Sequence, residues 1–141
     1  MSVEALYWNQ GSIQRQSQPV SSEAEVDKLA AGLLAQYEAA GDIAPGIELR
    51  RDSSGAGLSI AVTGDGWALI HTDQDFNQHC TRGSSSDDDA AEDAALDVMW
   101  EESQSIPKAW FIPKQQALRG VARYIADGGL ADEITWSDDC S

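Results

Sequence analysis

Basic residues are scarce: nine Lys and Arg stand against 24 Asp and Glu in 141 residues, a formal net charge of −15. A chain so charged repels phosphate backbones and anionic head groups, which argues against direct binding to nucleic acid or to a membrane surface. Cysteine is nearly absent. Cys80 and Cys140 are too few and too isolated for a disulfide framework, and neither sits in a CxxC pair, so two ordinary thiols in a reducing compartment are expected. Long apolar runs are missing too; none approaches the roughly 20 residues that a membrane-spanning helix needs. Met1 to Gln10 lacks the basic start and apolar stretch of a secretory signal, so the expected location is the cytoplasm.

What is present suffices for a core. Hydrophobic residues make up 42% of the chain and include five Trp, so the charge must lie on the outside of a folded object. A length of 141 residues fits one ordinary domain. Its negative field attracts cationic proteins and speeds their encounter.

Along the chain, Glu4 to Trp8 reads as a first short strand and Asn9 to Val20 as a polar connection. The clearest helix follows. Ser22 and Glu25 form a capping box, Val26, Leu29, Leu33, Leu34 and Tyr37 share one face at helical spacing, and Gly41 closes the element. Ile47 to Arg51, Leu58 to Val62 and Trp67 to Thr72 are β-prone runs separated by turn-rich segments, which predicts an antiparallel meander. The polarity of Asn77 to Arg82 places a fourth strand at an edge or on an open face.

Gly83 to Asp93 has neither apolar periodicity nor turn economy and is expected to be a mobile, solvated loop. From Ala95 to Trp100 alternation returns, with Leu96, Val98 and Trp100 facing one way and Asp97 and Met99 the other. Ser103 to Lys108 reads as a connection and Ala109 to Ile112 as a short strand. Pro113 takes the first position of a second amphipathic helix carrying Leu118, Val121, Ala122 and Ile125, which Gly128 and Gly129 stop. Glu133 to Trp136 is a last strand, and residues 137–141 form a frayed tail. The expected fold is therefore a single α+β domain, with a mainly antiparallel sheet of about five to seven strands and two helices.

Side chains suited to catalysis are few. His71, His79 and Cys80, with Asp73 and Asp75 nearby, are the one cluster from which an enzyme could be built. His79 and Cys80 point to opposite faces of an extended segment, however, and no second pair completes a four-ligand metal site. The acidic run offers neither the sixth-position Gly nor the flanking paired helices of a calcium-binding helical loop, and the turn glycines lack phosphate-binding spacing, so no cofactor is expected.

Surface chemistry remains. Between Gly83 and Pro107 the charged residues are Asp87, Asp88, Asp89, Glu92, Asp93, Asp97, Glu101 and Glu102, without one Lys or Arg. Trp100 lies inside this run, and an aromatic among carboxylates is the composition of an anchor with a charged rim, although a Trp at a strand position is commonly core. These nine residues are the candidate partner-binding set.

The segment from Leu96 to Trp136 resembles the C-terminal half of the first-numbered immunity-protein family of bacterial polymorphic toxin systems. The likeness rests on Trp100-Glu101, on Ile106-Pro107, on Phe111-Ile112-Pro113 leading into the helix of Leu118 to Ile125, and on the glycine break before Glu133-Ile134-Thr135-Trp136. In the N-terminal half, Gly64-Asp65-Gly66-Trp67 agrees in style. The resemblance implies a cytoplasmic antidote that binds a cognate basic toxin domain, in this family often a nucleic-acid (cytidine) deaminase, as a one-to-one complex and blocks its active site. The acidic composition also suits an acidic chaperone or adaptor for a secreted protein, which would hold a non-native segment instead of a folded toxin. An enzyme built on His71, His79 and Cys80 is the third reading.

Overall fold

A computed structural model describes residues 3–9, 14–41, 43–51, 57–64, 66–83, 95–100, 103–138 and 140. Among them the chain forms β1 (Val3–Trp8), β2 (Arg15–Val20), α1 (Glu23–Ala40), β3 (Ala44–Arg50), β4 (Gly57–Val62), β5 (Trp67–Thr72), β6 (Gln78–Thr81), β7 (Ala95–Met99), β8 (Ser103–Pro107), α2 (Lys114–Asp127) and β9 (Trp136–Ser137). The main sheet runs in the order β2-β1-β3-β4-β5-β6-β9 with every neighbour antiparallel. A β7–β8 hairpin branches from the start of β3, where Ala44 and Pro45 pair in parallel with Val98 and Met99. The fold is α+β with a dominant, mainly antiparallel sheet.

Helix α1 forms where the periodicity places it. The Ser22 hydroxyl accepts the Glu25 N–H, while the Glu25 carboxylate reaches back one residue further, to the N–H and hydroxyl of Ser21. Val26, Ala30, Leu33 and Tyr37 make its buried stripe. Gly41 ends the helix at φ 67° and Gly128 ends α2 at φ 77°, left-handed conformations that glycine adopts at little cost.

Period-two alternation sorts the sheet into two faces. Ile47, Leu49, Leu58, Ile60, Val62, Trp67 and Leu69 point toward α1 and α2 and form the main core with Val121, Tyr124 and Ile125. On the opposite face Trp8, Ala61, Ala68 and Cys80 pack beneath the hairpin residues Val98, Trp100 and Ile106, with Trp110 closing the cluster.

Four sequence expectations are corrected. The segment Asn9 to Val20 contains β2, whose polar residues suit an edge strand paired on one side only. Ser103 to Lys108 contains β8, held by full register with β7. Residues Lys108–Trp110 form a 3-10 turn instead of a strand, leaving Ile112 in a single bridge to Trp67. Strand β6 is not an edge: it pairs with β5 and β9, and Cys80 and Thr81 are both 0% exposed. Smaller shifts put Pro113 at the cap of α2 and confine the last strand to Trp136–Ser137.

Candidate functional site

Of the nine candidate residues, Asp87, Asp88, Asp89, Glu92, Asp93, Glu101 and Glu102 lie outside the described residues, as does most of the loop expected at Gly83 to Asp93. Asp97 and Trp100 are carried by the β7–β8 hairpin. Strand alternation turns Asp97 to solvent and Val98 inward. Trp100 follows Val98: it is 6% exposed, and its indole N–H donates to the Ile47 carbonyl at 3.2 Å. The close approach is possible because residue 46 is glycine; a Cβ there would sit 2.5 Å from the indole Nε1. Trp100 thus seats the hairpin on the sheet as a buried residue instead of projecting into solvent.

Beside Trp100 the uncovered part of the second sheet face forms a shallow cavity of about 320 Å³, bordered by Glu48, Arg50, Ser59, Ile70, Gln78 and Gln104. Glu48 accepts from the Arg50 guanidinium at 3.0 and 2.8 Å, so its charge is locally balanced.

His71 and His79 are direct cross-strand partners on the helix-facing side, with ring centroids 6.5 Å apart. His71 is 8% exposed, and its Nε2 lies 2.8 Å from the Gly128 carbonyl. A carbonyl can only accept, so the proton sits on Nε2. Arg51 caps the same helix end by donating to the Tyr124 and Ile125 carbonyls, both at 3.0 Å, where a cation suits the negative pole of the helix. Cys80 does not join the imidazoles, because alternation turns it to the opposite face. Burial and the neighbouring Cys140 push its thiol up to about 12, which keeps it protonated and weakly nucleophilic at neutral pH. Among the described residues no group of three or more His, Cys, Asp or Glu side chains is placed to hold a metal ion.

The two cysteines, expected to be isolated, are neighbours. Both thiols donate to the Ser137 carbonyl, Cys80 at 3.7 Å and Cys140 at 3.5 Å. This fastens Cys140 to β6 across 60 residues of sequence, a proximity that only the pairing of β6 with β9 creates.

Sequence reasoning also passed over the β5–β6 turn. Asp73 Oδ1 accepts the N–H groups of Asp75 and Asn77, each at 2.9 Å. Its backbone N–H donates to Asn77 O, and Phe76 N–H donates to Asp73 O, both at 3.0 Å. The Asn77 N–H, with that of Asp75, holds the Asp73 carboxyl below the usual carboxylate range. Phe76 at the tip adopts φ 65° and is 71% exposed. Asp-Gln-Asp-Phe-Asn between two β-prone runs signals a turn, but nothing in that pattern announces a displayed aromatic. Asp73 and Asp75 also border a cavity of about 390 Å³ together with Arg51, His71, Tyr124 and Asp127.

No helix among the described residues is long and apolar enough to cross a membrane. Compared with known proteins, the chain matches the family model described as immunity protein Imm1 over residues 14–138, which extends the likeness of the C-terminal half across β2, α1 and the meander. No curated protein and no solved structure matches.

Proposed function

We propose, from the premise that this chain belongs to the immunity protein Imm1 family, that it binds one cognate toxin domain in the cytoplasm and inhibits it by covering a basic substrate groove. The family match carries this reading, and the charge distribution supports it independently. A deaminase acting on single strands or flipped bases needs a positive groove for phosphates around its zinc-bound water. The eight carboxylates of Asp87 to Glu102, unmixed with Lys or Arg, suit the same groove as a substrate mimic. Charge then gives fast capture, and desolvated contacts give slow release.

The test is to mix the protein with the toxin domain encoded beside its gene and measure complex mass and residual deaminase activity. A stable one-to-one complex with activity abolished is expected; a toxin that stays free and active removes the reading. Asp87→Lys, Asp88→Lys and Asp89→Lys together should slow association at least about tenfold at low salt and flatten its salt dependence. Unchanged kinetics would take that run out of the interface while leaving inhibition itself intact.

A further inference from the structure

We propose that Phe76 is the aromatic anchor of the partner interface, with Asp73 and Asp75 as its charged rim, and that it fits a basic protein surface bearing an apolar socket. The proposal rests on the reading of this chain as a toxin-binding protein and assigns a second contact point to it.

Phe76 is the one large hydrophobic side chain strongly exposed among the described residues, at 71%. Its backbone makes the exposure harder to dismiss. At φ 65° an L-residue brings its Cβ against the neighbouring carbonyl, and glycine or asparagine serves such a position more cheaply. The ring contributes little to the core, and the turn does not need a bulky residue at that φ. Neither folding nor local geometry therefore explains phenylalanine here, whereas recognition by another molecule does.

The turn is also built to present the ring. The two N–H groups held by Asp73 Oδ1 and the two backbone bonds between Asp73, Phe76 and Asn77 fix its shape before any encounter. Little ordering cost is left for the moment of binding. An aromatic displayed on a backbone-fixed turn with two aspartates matches the pattern of an interface hot spot. The adjoining cavity of about 390 Å³ is bordered by Asp73, Asp75 and Asp127 and also by Arg51, and Asp127 already pairs with Arg123. Asp73 and Asp75, in the same turn as Phe76, are therefore the carboxylates placed to meet a Lys or Arg side chain delivered next to the socket that receives the ring. The net charge of −15 makes a cationic partner the complementary one.

The experiment uses the whole chain and the toxin domain encoded beside its gene, with affinity and dissociation rate measured by a surface-capture assay and stability by thermal melting. Phe76→Asn should weaken binding at least about 30-fold, mainly through faster dissociation, while the melting temperature holds or rises because asparagine tolerates the left-handed backbone. Phe76→Tyr keeps the ring and the strain, and should bind within about threefold of the parent. Binding by Phe76→Asn within about twofold of the parent overturns the anchor and leaves the immunity reading standing. The anchor is equally overturned if Phe76→Tyr binds as poorly as Phe76→Asn, since the ring would then not be what is recognised. A parent chain that does not bind the toxin overturns both readings.

Discussion

Thr81 has no exposed surface, yet its hydroxyl serves two partners: it accepts the Leu69 N–H at 3.1 Å and donates to the Trp110 carbonyl at 2.6 Å. One side chain thereby ties β6 to β5 and to the 3-10 turn that leads into α2. Replacing it with the near-isosteric valine removes the hydroxyl but not the burial, leaving an N–H and a C=O without water or partner. Each such orphan costs about 1–3 kcal/mol, so Thr81→Val should lower unfolding free energy by about 3 kcal/mol, read from the midpoint of a urea titration with unchanged slope. A change below about 0.5 kcal/mol would mean that water reaches those groups. The same residue explains why the sequence places β6 at an edge or on an open face. Gln78, His79 and Thr81 look like solvent-facing residues in sequence, and only the fold reveals that a threonine hydroxyl is spent on two backbone groups. Trp100 is the converse case. Its position among carboxylates fits display and its strand alternation fits burial; the glycine at 46 that admits its indole, and so decides for burial, lies 54 residues away.

Elements with strong internal periodicity were legible: α1, the β3–β4–β5 meander and the body of α2 all follow from apolar spacing and turn glycines. Strands β2 and β8 were not, because Arg-Gln-Ser-Gln-Pro-Val and Ser-Gln-Ser-Ile-Pro carry almost no alternation and are held mainly by backbone pairing to β1 and β7. The joining of β6 to the C-terminal segment was equally hidden, and it has a chemical consequence. Cys80 is buried and its thiol is pushed up to about 12, first by burial and next by Cys140. A thiol whose folded value lies above its ordinary 9.0 stabilises the fold fully below pH 9.0, and that contribution is lost as pH rises toward 12. Stability of the parent should therefore fall more steeply than that of Cys80→Ala across the alkaline range, in paired denaturant titrations at stepped pH. Parallel pH profiles would contradict the burial of the thiol. Alkylation gives a second measure: iodoacetamide at mildly alkaline pH should label Cys140 first, and Cys80 only once denaturant opens the sheet.

At the scale of the molecule, a net charge of −15 on 141 residues must raise the free energy of the compact state relative to the expanded chain. Ionic strength reaches this term directly, since the screening length falls from about 30 Å at 0.01 M to about 3 Å at 1 M salt. With nine Lys and Arg against 24 Asp and Glu, the attractive pairs that oppose it are limited by the smaller charge. Ion pairs between described residues include Arg50–Glu48, Lys114–Asp27 and Arg123–Asp127, largely solvent-accessible contacts that each contribute about 0–1 kcal/mol. Screening therefore removes more repulsion than attraction, and the melting temperature should rise by several degrees between low and high concentrations of NaCl and of KCl alike. Acid acts in two stages. From neutrality toward the isoelectric point near 4.1, protonation relieves repulsion and stability should hold or increase. Below the ordinary carboxylate range Asp73 and Asp127, both depressed by the N–H groups they accept, lose their contribution as pH falls through their lowered values. A melting temperature that falls with salt would show that paired charges outweigh the surplus. In that event the acidic surface would already be compensated within the chain, and long-range attraction for a basic partner would lose its physical source.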